Sequence, residues 1–296
     1  MTVDRPERPR SDAGGGTVAV PGGRVPVMAT ESIRKTYQDL GRRHLRGRPN
    51  GIGSDSVTWA LDQVTMAIQP GEVLGLVGES GSGKSTLAHC LGGLSAVDEG
   101  RVLVDGQVVG GDGHRARVPR VRGVQMAFQD PTSTLNPRRR IGSVLAEILS
   151  VHRMCPRREV EDRAIELLAR VGLPERVMRE RPAALSGGMC QRVALARAMA
   201  VQPRLLIADE IVSALDASVQ AQILNLVLEL RETTDLSVLF VTHDLAVVSQ
   251  VCDRVIVLTE GRVVEEGATR QVLDNPSHAY TRGLIDAIPP LPVRVG

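Results

Sequence analysis

Gly78-Glu79-Ser80-Gly81-Ser82-Gly83-Lys84-Ser85 has the spacing GxxxxGK[ST], directly after the apolar run Val73 to Val77 and before a helical stretch, Ser85 to Leu94. Gly78, Gly81 and Gly83 let the backbone wrap a phosphate with its N–H groups, and the helix N-terminus behind them favours negative charge. Lys84 brings a compact ammonium that fits between phosphate oxygens, where a planar guanidinium would not. That choice is informative, because lysine occurs only at Lys35 and Lys84 and arginine supplies the rest of the basic charge. Ser80, Ser82 and Thr86 complete the loop and its exit, and the Ser85 hydroxyl suits Mg²⁺ held beside the phosphates.

Leu206-Ile207-Ala208-Asp209-Glu210 ends a second apolar run in two carboxylates. In a parallel sheet this places Asp209 at the carboxyl edge, where nucleotides bind. Asp209 is expected to hold Mg²⁺ through water. Glu210 is expected to polarise the attacking water, a contribution of about 10²- to 10⁴-fold. Gln129 and His243 close two further runs, Val124 to Phe128 and Val238 to Thr242. Alone, each reads as a turn or structural residue. As ends of strands in one sheet they lie where a γ-phosphate would be sensed, Gln129 as a ligand to Mg²⁺ or water and His243 as a donor to phosphate. Ser186 is a good N-cap for an amphipathic helix over Met189 to Ala200, and Gly187 and Gly188 leave its first amides open. This is a second anion site. One ATP cannot use both sites if they lie on opposite sides of the domain, so the economical arrangement is two chains packed head to tail.

The elements that must position these residues follow from periodicity. Glu31 to Tyr37 and Val57 to Ile68 read as strands, joined by a basic run, Gly41 to Arg48, that reads as a solvated insertion or a contact with a membrane partner or lipid headgroups. Arg101 to Val109 alternates about Asp105-Gly106, a hairpin signal. From Ile141 to Val171 apolar residues recur at helical spacing until Gly172 and Pro174 end the run. Beyond it strands and helices alternate: Leu205–Ala208, Ser218–Arg231, Val238–Thr242 and Leu245–Val251. A closing hairpin turns at Glu260-Gly261. The alternation implies a parallel sheet covered on both faces, an α/β fold.

Bulk properties exclude several classes. The 296 residues carry a formal net charge of +2 and are 42% apolar. There is no global basic excess, and Tyr37, Trp59, Phe128, Phe240 and Tyr280 are the only aromatics, so no nucleic-acid partner is expected. Cys90, Cys155, Cys190 and Cys252 form no CxxC pair, which fits a reducing compartment rather than a zinc site or disulfide framework. No uninterrupted apolar stretch is long enough to span a membrane. The Gly-, Pro- and Arg-rich N-terminus has no secretory h-region and reads as a disordered tail.

Taken in order, the phosphate loop, Gln129, Leu185–Met189, Asp209-Glu210, Ser213-Ala214-Leu215-Asp216 and His243 resemble the nucleotide-binding subunits of ATP-binding cassette (ABC) transporters, over roughly residues 28 to 290. The resemblance implies a P-loop NTPase (RecA-like) core with an antiparallel β subdomain and an inserted α-helical subdomain. It implies a tail at 1–28, a nucleotide-binding domain at 29–266 with its helical insertion at about 132–184, and an extension at 267–296. It implies ATP and Mg²⁺ as cofactors, with Asp216 among the nucleotide-site residues. Tyr37 matches the aromatic that stacks on adenine in the family, with Trp59 as the fallback, though either ring could be ordinary packing. Gln129 to Arg138, Ser213 to Leu226 and Asn275 to Thr281 are similar to the oligopeptide/dipeptide/nickel importer branch. No cysteine follows Cys252, so the chain resembles the ATPase of that branch that lacks an iron–sulfur cluster. Implied partners are two permeases, a second ATPase (paralogue or copy) and, indirectly, an extracytoplasmic binding protein. The implied location is cytoplasmic, on the inner face of the cell membrane.

Four positions depart from the family pattern: Met189, Cys190 in place of Arg, Ile211 in place of the Pro after Glu210, and Ala279 in place of Pro. Losing the proline is expected to loosen the turn that positions Glu210. An exporter subunit of the same fold is a competing reading. A soluble ABC-type machine acting on DNA or ribosomes would need a long coiled-coil or zinc insertion, or two cassettes in one chain, and the sequence has neither.

Overall fold

A computed structural model describes residues 24–37, 59–111 and 123–287. The basic run at 41–48 and most of the expected tail lie outside the described residues. In chain order the strands are β1 (Met28–Thr36), β2 (Trp59–Ile68), β3 (Val73–Val77), β4 (Glu99–Val104), β5 (Gln107–Gly111), β6 (Val124–Ala127), β7 (Leu205–Asp209), β8 (Ser237–Val241), β9 (Arg254–Thr259) and β10 (Arg262–Ala268). The α-helices are α1 (Lys84–Leu91), α2 (Pro131–Thr134), α3 (Ile141–Val151), α4 (Val160–Arg170), α5 (Gly187–Met199), α6 (Ala217–Thr233), α7 (Leu245–Val251), α8 (Thr269–Asp274) and α9 (Ala279–Asp286).

Every residue of β3, β7 and β8 is buried. Such runs are stable only with both faces covered, the condition of a parallel sheet. The larger sheet runs β10-β9-β3-β8-β7-β6, parallel except for the β9–β10 hairpin. Side chains alternate between two cores. Val73, Leu206, Ala208, Val238 and Phe240 face the core shared with the helices between β6 and β7. Leu74, Leu76, Leu205, Ile207, Leu239 and Val241 face the core shared with the second sheet. That second sheet is antiparallel, in the order β2-β1-β4-β5. It begins inside the stretch expected as tail: Val27 and Met28 are buried, and Met28 opposes Ile68 and Val104.

Between β6 and β7 the chain is helical. Gly172, with φ +70°, closes the turn after α4, as the Gly-Pro signal predicts. The helix after Ser186 differs from the expected amphipathic one. α5 buries Cys190, Gln191, Val193, Ala194, Leu195, Ala196, Ala198 and Met199, because α2, α3, α4, α6 and β6 pack around it. Small residues on its flanks make that enclosure possible.

The C-terminal segment docks through one carboxylate. Glu265 on β10 accepts hydrogen bonds from the Ser277 N–H at 2.7 Å, the Ser277 hydroxyl at 2.8 Å and the His278 N–H at 3.1 Å. Burial pushes its pKa up, but the nearby Thr281 hydroxyl and the Ser277 and His278 bonds outweigh this and bring it down to about 2.

Two outcomes follow from these contacts. Phe240→Ala empties a fully buried site in β8 and should lower unfolding free energy by about 3–5 kcal/mol, read from urea midpoints at unchanged slope. Glu265 is an acid whose folded pKa lies below its unfolded one, so its stabilisation is present above about pH 4.5 and is lost as pH falls towards 2. Hydrogen exchange at the Ser277 and His278 amides should report that loss of protection over the same window.

Candidate nucleotide site

At two of its glycines the phosphate loop has no room for a side chain. Gly83 has φ +107°, and a Cβ there would meet the Ala60 carbonyl at 2.5 Å. A Cβ on Gly78 would meet the Leu258 carbonyl at 2.1 Å. Both obstacles are backbone, so the loop lies against β2 and β9 with no room to yield. Lys84 is buried within it, its Nζ donating to the Gly78 carbonyl at 2.8 Å and the Glu79 carbonyl at 2.7 Å. Ser82 is buried beneath the turn, Ser80 and Gly81 are exposed, and Thr86 follows Ser85 on α1.

The Ser85 hydroxyl lies 3.5 Å from Asp209 Oδ1 at the end of β7. Burial raises the Asp209 pKa, His89 opposes the rise and Glu210 adds to it. Burial likewise lowers the Lys84 pKa, against the charges of Glu210, Asp209 and Glu79. Both groups are therefore shifted away from their charged forms, because burial outweighs the opposite charges near each of them. A phosphate would supply a counter-charge for Lys84 and a cation one for Asp209. The oxygens of Ser85 and Asp209 are the hard donors that Mg²⁺ prefers.

Glu210 occupies the left-handed region at φ +51°, unusual for a residue with a side chain. Its N–H donates to the Val241 carbonyl at 3.0 Å, and its carbonyl accepts from the Ser213 N–H at 3.2 Å and hydroxyl at 3.0 Å. Ile211 is 1% exposed. A buried isoleucine and three hydrogen bonds thus fix this turn where the sequence reading expected a proline. Gln129 Nε2 donates to the same Ser213 hydroxyl at 3.0 Å, and His243 Nδ1 stands 3.4 Å from Glu210 Oε1. Three sequence candidates from three strand ends thus converge on one turn.

The Ser186 hydroxyl accepts from the Met189 N–H at 3.3 Å and caps α5. A Cβ on Gly188 would lie 2.4 Å from Val219 Cγ1, so the start of α5 is packed tightly on α6. Gly187 stands next to it, near Leu215. Asp216 caps α6, accepting from the Ser218 and Val219 amides at 3.1 and 3.0 Å, and these bonds hold its carboxyl below the usual range. Cys190, where an arginine was expected, is fully buried, with its thiol 3.6 Å from the Pro182 carbonyl. Register pairs Thr36 with Trp59, so Tyr37 and Trp59 both stand at the ladder end beside Ala60, whose carbonyl abuts Gly83. Tyr37 is 59% exposed and Trp59 lies beneath Arg34.

Four contributors escaped sequence reasoning: His89, Ser213 as a hub, Gln191 and Tyr280. The Gln191 amide donates to the Phe128 carbonyl at 3.4 Å, tying α5 to the strand that ends before Gln129. The Tyr280 hydroxyl accepts from the Glu79 N–H at 2.9 Å. All four lay inside segments that had drawn notice, but none had been given a role at the site.

Residues 61–213 match the ABC transporter family, and residues 264–294 match the oligopeptide/dipeptide transporter C-terminal region. Oligopeptide transport ATP-binding protein OppF of Escherichia coli (strain K12) is 45% identical over 235 residues, covering 78% of this chain and 69% of the relative. Its Lactococcus lactis (strain IL1403) counterpart is 42% identical over 234 residues, covering 79% and 73%. Among solved structures, cbiO1 from Clostridium perfringens, part of the ABC transporter complex cbiONQ, superposes with a TM-score of 0.70 at 27% identity, covering 85% of this chain and 92% of the other. A dimeric ATP-binding cassette in a post-hydrolysis state with ADP and phosphate gives 0.67 at 30% identity, covering 82% and 99%. Loop, acidic strand end, capped glycine pair and sequence kinship coincide, and the chain belongs to the ABC transporter family as one of its ATP-hydrolysing subunits.

Proposed function

We propose that this ATPase powers the uptake of peptides or a related small solute. The observation that carries the reading is the joining, in one chain, of a complete phosphate loop and acidic strand end to a C-terminal segment that matches the oligopeptide/dipeptide transporter region. The relatives named for oligopeptide transport, and one named for glutathione import, support the substrate class.

In this reading Lys84 leaves the Gly78 and Glu79 carbonyls for the β- and γ-phosphates, while the loop amides take the phosphate oxygens. Ser85, Asp209 and Gln129 would hold Mg²⁺, which neutralises charge on the phosphates when bound. Glu210 accepts the proton of the attacking water, and His243 donates to the γ-phosphate. Ser186, Gly187 and Gly188 close over the loop of a second chain, so neither cassette completes a site alone. Tyr37 stacks on the adenine and Asp216 orders the turn at the interface. Two bound ATP favour the closed pair and hydrolysis reopens it, a population shift that drives the permeases. A groove of about 800 Å³ among Arg140, Gly142, Glu161, Glu175, Arg176 and Arg179 would receive them. Among the described residues no helix is long and apolar enough to cross a membrane, so membrane attachment would come through those partners, on the cytoplasmic face.

Lys84→Ala should abolish saturable ATP binding in equilibrium dialysis; retained affinity would contradict its role. Glu210→Gln should keep binding and lower turnover about 10²- to 10⁴-fold, whereas hydrolysis at the wild-type rate would refute the base. Affinity purification from native membranes should recover two permeases and a second ATPase. Recovery with nucleic acid alone would overturn the assignment.

A further inference from the structure

Tyr280 stands at the second position of α9, 201 residues from the phosphate loop in sequence, yet its hydroxyl accepts the Glu79 N–H at 2.9 Å. That N–H belongs to the Gly78–Glu79 peptide group, whose own carbonyl accepts from Lys84 Nζ at 2.8 Å. In a trans peptide these two groups point in opposite directions. One peptide plane is therefore held at both polar ends, by Lys84 on one side and by the C-terminal segment on the other.

The plane needs holding. Glycine rotates about its backbone more freely than other residues, and Gly78 precedes this peptide bond directly. A flip would turn the Gly78 carbonyl from Lys84 and put the Glu79 N–H in its place, setting a donor against the ammonium.

Tyr280 is itself firmly seated. The Tyr280 N–H donates to His278 Nδ1 at 3.2 Å, capping α9. Glu265 fixes Ser277 and His278, and Arg282 donates to the Pro276 and Ser277 carbonyls at 3.0 Å each. The ring packs on the core shared with β8.

We infer that Tyr280 is a positioning residue for the phosphate loop, through which the C-terminal segment sets nucleotide affinity. The inference rests on the reading that this loop binds ATP. Holding the peptide plane before ATP arrives lowers the ordering cost of binding. A net neutral hydrogen bond of this kind corresponds to about a two- to tenfold change in affinity. Displacing the segment would relax the loop, so anything that unseats α9 would weaken ATP binding without touching the catalytic carboxylate.

The test is Tyr280→Phe, which keeps the ring and removes only the hydroxyl. Mg-ATP dissociation constants come from equilibrium dialysis, and KM and kcat from steady-state hydrolysis. The expected result is a two- to tenfold rise in both Kd and KM at unchanged kcat. Glu265→Gln, which loosens the seat at a distance, should shift Kd in the same direction, and the double variant should be no weaker than the sum of the singles. Unchanged Kd in Tyr280→Phe overturns the inference, as does a fall in kcat at constant KM. Failure of the wild-type chain to bind ATP in the same dialysis would instead sink the functional reading, so the two failures are distinct.

Discussion

Lys84 and Asp209 are carried into the same buried edge of the parallel sheet, and the desolvation of these opposite charges governs the site. Each is shifted towards its neutral form by burial. Lys84 meets the cost by bonding two carbonyls of its own loop, and Asp209 makes a long contact with Ser85. On the proposed reading, phosphate oxygens and a divalent cation would give these two charges partners of opposite sign.

The rest of the architecture keeps that edge in place. β3 and β7 deliver the loop and the carboxylate from strands with both faces buried, and β8 between them is anchored by Phe240. Glu210 sits in a left-handed turn stitched to Val241 and Ser213, and Gln129 reaches the same serine. Through Gln191 the enclosed helix α5 is tied to the strand before Gln129, so the capped glycine pair and the catalytic edge share a framework. The C-terminal segment adds a contact from outside the sheet.

The chemistry was largely legible from residue types and order, because the phosphate loop, the paired acids and the capped glycines each have a local physical reason for their spacing. The strands were legible too, since apolar runs of four or five residues that end at or just before Gly78, Asp209 and His243 have few alternatives. What stayed hidden depended on tertiary neighbours. The enclosure of α5 depends on four helices around it, which no periodicity within Met189 to Ala200 records. At Ile211 the sequence showed only a missing proline, whereas one of the bonds that fix the turn comes from the remote Val241 on β8 and two come from Ser213 within the turn itself. Tyr280 belonged to a recognisable tail, but only packing reveals that its hydroxyl meets Glu79.

In the proposed function this chain carries two anion-binding edges that serve different nucleotides. The phosphate loop lies between β3 and α1 against β2 and β9, whereas Ser186 and the glycines sit on α6 and the helical region. On the proposed reading, completion of a site requires a second chain. Sedimentation velocity of Glu210→Gln, alone and mixed with its natural partner ATPase, with and without Mg-ATP, measures this directly. The account predicts a nucleotide-dependent doubling of mass in at least one of the two samples. A chain that binds Mg-ATP yet remains monomeric in both would contradict it.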